Sequence, residues 1–177
     1  MARRKALLLG PLAALFTLVL TVVLPQSAQA WSFTGIVKVK QAATYCVGDQ
    51  AGIDHLTPGL FSGNLAYGDA YAFEADCVTP KVMQARSRLD VRFWSEAQNA
   101  WITCRSTGWT YGTTGHDMWG PTGPASLLSY GGPVCGVGWY ATRAYAEVWV
   151  PNILIVGGGF WSGGSTTSAY EWVETSG

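Results

Sequence analysis

From Ala141 to Val150 the side chains alternate. Ala144, Ala146, Val148 and Val150 share one parity, and Arg143, Tyr145, Glu147 and Trp149 share the other. Successive residues of a β-strand point to opposite faces of a sheet, so this two-residue period marks a strand with one face buried and one wet. No stretch beyond residue 30 sustains the 3.6-residue spacing of an amphipathic helix. Seven or so short strands separated by Gly and Pro are expected instead, which points to an all-β fold, an antiparallel β-sandwich of Ig-like or jelly-roll-like type.

Several other segments carry the same period. Trp31, Phe33, Val37 and Val39 oppose Ser32, Thr34, Lys38 and Lys40, which predicts a half-buried strand over Trp31 to Lys40. A second strand is expected over Ala70 to Cys77, with Tyr71, Phe73, Ala75 and Cys77 inward. Leu89, Val91 and Phe93 oppose Arg86, Arg88, Asp90, Arg92 and Trp94, and Glu96 to Asn99 then turns the chain into a return strand over Ala100 to Ser106. A four-residue turn places Phe93 opposite Ile102 and Val91 opposite Cys104 inside, with Trp94 opposite Trp101 and Asp90 opposite Arg105 outside. Thr107 to Gly138 is rich in Gly and Pro and reads as a long loop. The apolar run Ile153 to Val156 reads as a buried strand, Gly157 to Gly159 and Ser162 to Gly164 as turns, and Ser168 to Val173 as a last strand.

The chain has 177 residues and four cysteines, Cys46, Cys77, Cys104 and Cys135. All four lie beyond an N-terminal segment with the order of a secretory leader. Arg3, Arg4 and Lys5 precede an uncharged, mainly apolar run from Ala6 to Leu24, and Pro25 leads to Ala28-Gln29-Ala30, a small-x-small cleavage site. The apolar run approaches the roughly 20 residues that span a bilayer as a helix, so an uncleaved anchor is the rival reading. The expected organisation is a signal peptide over residues 1–30, forming a signal helix, and one all-β domain over 31–177 secreted after cleavage near Ala30. Membrane contact in this reading is limited to the leader, and only where it is not cleaved.

An even number of cysteines in an oxidising compartment reads as two disulfides. The pairing Cys46 with Cys77 and Cys104 with Cys135 is preferred, because it closes two loops of equal length that do not cross. Their wide spacing, with no His ladder nearby, lacks the short C-x2-C pairs of a zinc site. No metal or other cofactor is implied.

Balanced counts of 11 basic and 11 acidic residues conceal an asymmetry. Three of the basic residues are Arg3, Arg4 and Lys5, so the part beyond residue 30 carries 8 against 11, a net charge of −3. This offers no basic footprint for nucleic acid.

Chemistry is harder to read. His55 and His116, each next to an aspartate (Asp54 and Asp117), are the candidates for a general base in a small secreted hydrolase. Residues adjacent in extended chain point opposite ways, however, and no G-x-S-x-G elbow accompanies them. The compositional outlier is aromatic: all nine tryptophans and all eight tyrosines fall beyond residue 30. Trp109, Tyr111 and Trp119 stand in the long polar loop, and Tyr145 and Trp149 share the polar parity of their strand. Rings on a wet face give large contact area at small entropic cost. The expectation is therefore a non-enzymatic extracellular module that binds a glycan or a protein through these five residues. A hydrolase and an inhibitor or toxin presenting the long loop are the alternatives.

Overall fold

The computed structural model describes residues 31–54, 65–114, 125–126, 128–129, 132–152 and 154–173. The leader over residues 1–30, and with it the signal helix, His55, His116, Asp117, Trp119 and Ile153, lies outside the described residues. The strands are β1 (Trp31–Phe33), β2 (Val37–Gln41), β3 (Cys46–Asp54), β4 (Leu65–Phe73), β5 (Gln84–Ser95), β6 (Ala100–Ser106) and β7 (Thr110–Thr113), followed by β8 (Ala125–Ser126), β9 (Leu128–Ser129), β10 (Gly132–Pro133), β11 (Gly138–Pro151), β12 (Gly159–Thr167) and β13 (Glu171–Val173). Every strand pairing is antiparallel.

Two sheets carry the fold. In the five-stranded sheet β3 lies at the centre, with β1 and β2 along one edge and β4, then β8, on the other. In the six-stranded sheet β5 and β11 are central; β6 and β7 flank β5, while β12 and β13 flank β11. Their inner faces share two apolar clusters. Ala51, Ile53 and Ala66 of the first sheet meet Leu89, Val91, Tyr140, Ala144 and Val173 of the second. Val47, Ala70 and Ala72 likewise meet Ala85, Ala146 and Val148.

This core is built largely from small residues, and one glycine shows how close the sheets come. A Cβ on Gly68 would stand 2.4 Å from Leu89 Cδ2 and 2.5 Å from the Ala144 Cβ, well inside van der Waals contact. Overpacking of this kind typically costs about 1–3 kcal/mol. Gly68→Ala is expected to lower the urea unfolding free energy by about 2 kcal/mol, and an unchanged midpoint would show that the sheets yield freely there.

Both disulfides join the expected partners: Cys46 with Cys77, their Cα atoms 5.2 Å apart, and Cys104 with Cys135, 5.9 Å apart. The alternation of β11 also holds, with Ala144, Ala146 and Val148 buried and Arg143, Tyr145, Glu147 and Trp149 half-exposed. The turn after β5 falls at Glu96 to Asn99, where Asn99 adopts φ 48°, a left-handed conformation Asn tolerates better than most residues.

Other expectations are corrected. The predicted strand over Trp31 to Lys40 is broken into β1 and β2 at residues 34–36, where Gly35 takes φ 68°, and Val37 is exposed. The second predicted strand ends at Phe73, and its parity is reversed. Ala66, Gly68, Ala70 and Ala72 face the narrow core, while Tyr71 and Phe73 lie on the other face, against the position a Gly48 Cβ would take. Small residues fit between closely spaced sheets, and the large rings go to the opposite face of β4, where Tyr71 is nonetheless buried. β3 escaped the sequence reading because Asp49, fully buried, interrupts its apolar parity of Val47, Ala51 and Ile53.

The β5 and β6 register keeps Phe93 opposite Ile102 and Trp94 opposite Trp101, then shifts at a bulge. Val91 faces Arg105 rather than Cys104, and Asp90 faces Ser106 rather than Arg105. The extra residue is Cys104, left between Thr103 and Arg105 where it packs on the core with its disulfide partner. The predicted long loop contains β7 to β10. Ser162 to Gly164 is no turn but part of β12: a Cβ on Gly163 would fall on the Ala146 carbonyl, so glycine here serves close backbone approach. The predicted buried strand at Ile153 to Val156 is also overturned. β11 and β12 pair only as far as Pro151 and Gly159, leaving Leu154, Ile155 and Val156 exposed beyond the sheet. The last strand is shorter than predicted, Glu171–Val173.

Candidate functional site

The outer face of the six-stranded sheet concentrates the unusual chemistry of this chain. Residues of β5 and β11 that point away from the core are set in register: Arg92 opposite Ala141, Asp90 opposite Arg143, Arg88 opposite Tyr145 and Arg86 opposite Glu147. The flanking strands extend these rows, with Tyr111 beside Arg86 and Trp161 beside Trp149. Trp94, Trp101, Trp109, Trp139, Trp149, Trp161 and Trp172 are all half-buried or exposed. Every tryptophan whose side chain is described thus keeps contact with solvent, and their ring contacts place them on this face.

At one end the rings form a connected group. Trp149 and Trp161 have centroids 5.3 Å apart, Tyr111 and Trp161 5.8 Å, and Trp109 and Tyr145 6.4 Å, all edge to face. Arginines are threaded between them. The Arg86 guanidinium carbon lies 4.2 Å from the Trp109 ring centroid and 4.6 Å from that of Trp161, and Arg88 lies 4.2 Å from that of Tyr145. Such cation–π contacts contribute about 0.5–1 kcal/mol each at exposed sites and hold the rings in place. Carboxylates complete the pattern. Arg86 Nε donates to Glu147 at 2.6 Å, while Asp90 accepts from the hydroxyls of Tyr145 at 2.9 Å and Ser106 at 2.6 Å.

A second group occupies the other end. Trp94 meets Trp101 at 5.8 Å, and Trp139 meets both Tyr170 and Trp172 at 5.3 Å. Between this group and the arginine rows lies a depression of about 270 Å³ lined by Arg92, Trp101, Ala141, Arg143, Thr167, Ser168 and Tyr170. Trp101 and Tyr170, 6.4 Å apart, supply aromatic surface, and the guanidinium of Arg143 is held by Ser165 at 3.0 Å. Arg92 donates to the Trp101 carbonyl, fixing one wall to the other. Among the described residues, Arg92 Nε is buried without a hydrogen-bond acceptor. The depression therefore combines flat apolar surface with donors and hydroxyls, the chemistry that receives a ring bearing polar substituents.

The structure brings Trp109, Tyr111, Tyr145 and Trp149 together in the first group; Trp119 lies outside the described residues. Sequence reading did not name Trp161, the second group or the arginines as site residues. Trp94 and Trp101 were legible as an outward cross-strand pair, but Trp139, Tyr170 and Trp172 join them only through the pairing of β13 with β11. The histidines of the hydrolase alternative lie outside the described residues. No group of three or more His, Cys, Asp or Glu side chains suited to a metal occurs among the described residues. Comparison with protein-family models, with curated proteins and with solved structures found no match to this chain.

Proposed function

We propose that this chain is an exported, non-enzymatic binding module that takes a saccharide on the outer face of its six-stranded sheet. The observation that carries the reading is the depression in which Trp101 and Tyr170 flank Arg92, Arg143, Thr167 and Ser168. Sugar rings present an apolar C–H face that stacks on indole or phenol, while their edges need donors and acceptors placed beside it. The first ring group, with Trp109, Tyr111, Tyr145 and Trp149, extends the contact surface for a longer chain of sugars. The arginine, carboxylate and ring contacts of the face preorganise these side chains, which lowers the entropic cost of binding. Two disulfides fit an oxidising compartment, in keeping with export. The shared core of the two sheets supports reading the domain as a β-sandwich.

Glycan-array screening followed by calorimetry tests this. Trp101→Ala and Tyr170→Ala are each expected to weaken binding of the best glycan by about tenfold, the worth of one well-placed stacking contact, with circular dichroism unchanged. Trp109→Ala is expected to weaken longer oligosaccharides more than short ones. Glycan affinities that stay the same in all three variants would sink the reading.

A further inference from the structure

The hairpin that joins β11 to β12 ends in an apolar tip. Leu154 is 88% exposed, Val156 is fully exposed, and Ile155 and Phe160 are each more than half exposed. Nothing in the saccharide reading accounts for aliphatic side chains on a convex projection, since that site lies on the sheet face. We propose that this tip inserts into the interfacial region of a lipid bilayer.

Polarity along the hairpin is graded by height. At the end stand the aliphatic residues, and Phe160 pairs with Val150 just below. Next comes the Trp149 and Trp161 row, and only beneath it does charge begin, with Glu147 and its partner Arg86. Between Glu147 and Glu171 the chain carries no charged residue. At about 3.3 Å per residue, the tip rises on the order of 10 Å above the tryptophan row. That matches the roughly 5–10 Å to which interfacial elements bury apolar side chains, with indole rings at headgroup level.

Part of the tip's backbone is paired within the hairpin itself. Asn152 N donates to the Gly158 carbonyl at 2.8 Å, and Gly158 N to that of Ile155 at 2.9 Å. The Asn152 side chain accepts from Leu154 N at 2.9 Å. These pairings lower the cost of moving the tip out of water and into the interfacial region, where the remaining groups still meet headgroups and water. A convex, uncharged tip with rings behind it suits a fluid bilayer better than a protein partner, which would need a preformed groove of matching shape.

Tryptophan quenching by lipids brominated on their acyl chains tests the proposal on the full chain. The leader contains no tryptophan, and with Trp31→Phe introduced into every protein compared, so that no indole abuts it, quenching reports on the folded region even where the leader itself holds the vesicle. With phosphatidylcholine vesicles the wild type is expected to show a blue shift and quenching. Leu154→Asp/Ile155→Asp/Val156→Asp is expected to lose both, with apparent partitioning at least about tenfold weaker. Val156→Asp alone, at a side chain that touches nothing, is expected to give a smaller loss with the unfolding midpoint unchanged. Because the tip carries no charge, added phosphatidylglycerol and added salt are expected to change little. Equal quenching in the triple variant, absence of quenching in the wild type, or quenching that requires anionic lipid would each overturn the proposal. So would a dimer in solution that the triple variant dissociates without any quenching in the wild type, which would place a second copy on the tip.

Discussion

Asp49→Asn is expected to be more stable than the wild type at pH 9 and to lose most of the wild type's decline in stability with rising pH. Asp49 lies on β3 between the two sheets, fully buried, where its Oδ2 accepts from the Thr166 backbone N–H of β12 at 2.8 Å. Removal from water pushes its carboxyl up from the ordinary 3.8 to about 8; the hydrogen bonds from Thr166 and Gln50 oppose this, and the Asp69 carboxylate adds a smaller upward push. An acid with a raised folded-state pKa holds more protons folded than unfolded between its two pKa values. Stability therefore falls as pH rises from about 4 to about 8, and the penalty is complete above that window.

A shift of this size corresponds to an upper bound on the order of 5 kcal/mol, reduced by any relaxation that readmits water. Asn keeps the acceptor for Thr166 and cannot ionise. The measurement is urea unfolding at intervals from pH 4 to pH 9. A wild-type profile that is flat, or that rises with pH across this range, would show that Asp49 does not hold its proton when folded. Near pH 4 the variant and the wild type are expected to converge, since Asp49 is then largely protonated in the folded state and its penalty has not developed.

Loss of either disulfide should be the other large effect. Each bridge joins residues 31 apart, which in the chain-entropy model gives about 3–4 kcal/mol through restriction of the unfolded chain. Equal loops predict equal entropic losses, so the native state sets the difference. Cys46 is almost completely buried, whereas Cys104 and Cys135 are half-buried. In addition, the Tyr140 hydroxyl still ties down the turn that carries Cys135, accepting from Cys135 N at 2.9 Å and donating to the Gly136 carbonyl at 2.7 Å. Cys104→Ala/Cys135→Ala is thus expected to lower the thermal midpoint by about 10 °C, and Cys46→Ala/Cys77→Ala by more. Calorimetry of the two double variants gives the order directly, and the reverse order would show that the bulge at Cys104 depends on its bridge.

The candidate site was only partly legible in the sequence. Tyr145 and Trp149 could be assigned to a wet face because β11 alternates cleanly, and that face is half-exposed in the fold. Trp161 could not, because Ser162-Gly163-Gly164 resembles a turn, whereas these residues allow β12 to lie close against β11 and β2. Trp101 and Tyr170 are far apart in sequence, and their rings meet across the outer face of the central β5 and β11 pair, which β6 flanks on one side and β13 on the other. Ring clusters of this kind are products of strand order, which a period of two does not encode.

Local periodicity and cysteine spacing were enough to reach an all-β chain, the wet and buried faces of β11, the β5 turn and both disulfides, because each depends on near neighbours or on simple loop closure. The tertiary structure alone decided which parity of β4 is buried, where the register slips at Cys104, that Asp49 enters the core and that residues 154–156 leave it. All four depend on the spacing and alignment of strands distant in sequence. A narrow gap between sheets selects alanine and glycine over larger rings, and a hairpin whose pairing ends at Pro151 puts an apolar run into solvent whatever its hydrophobicity.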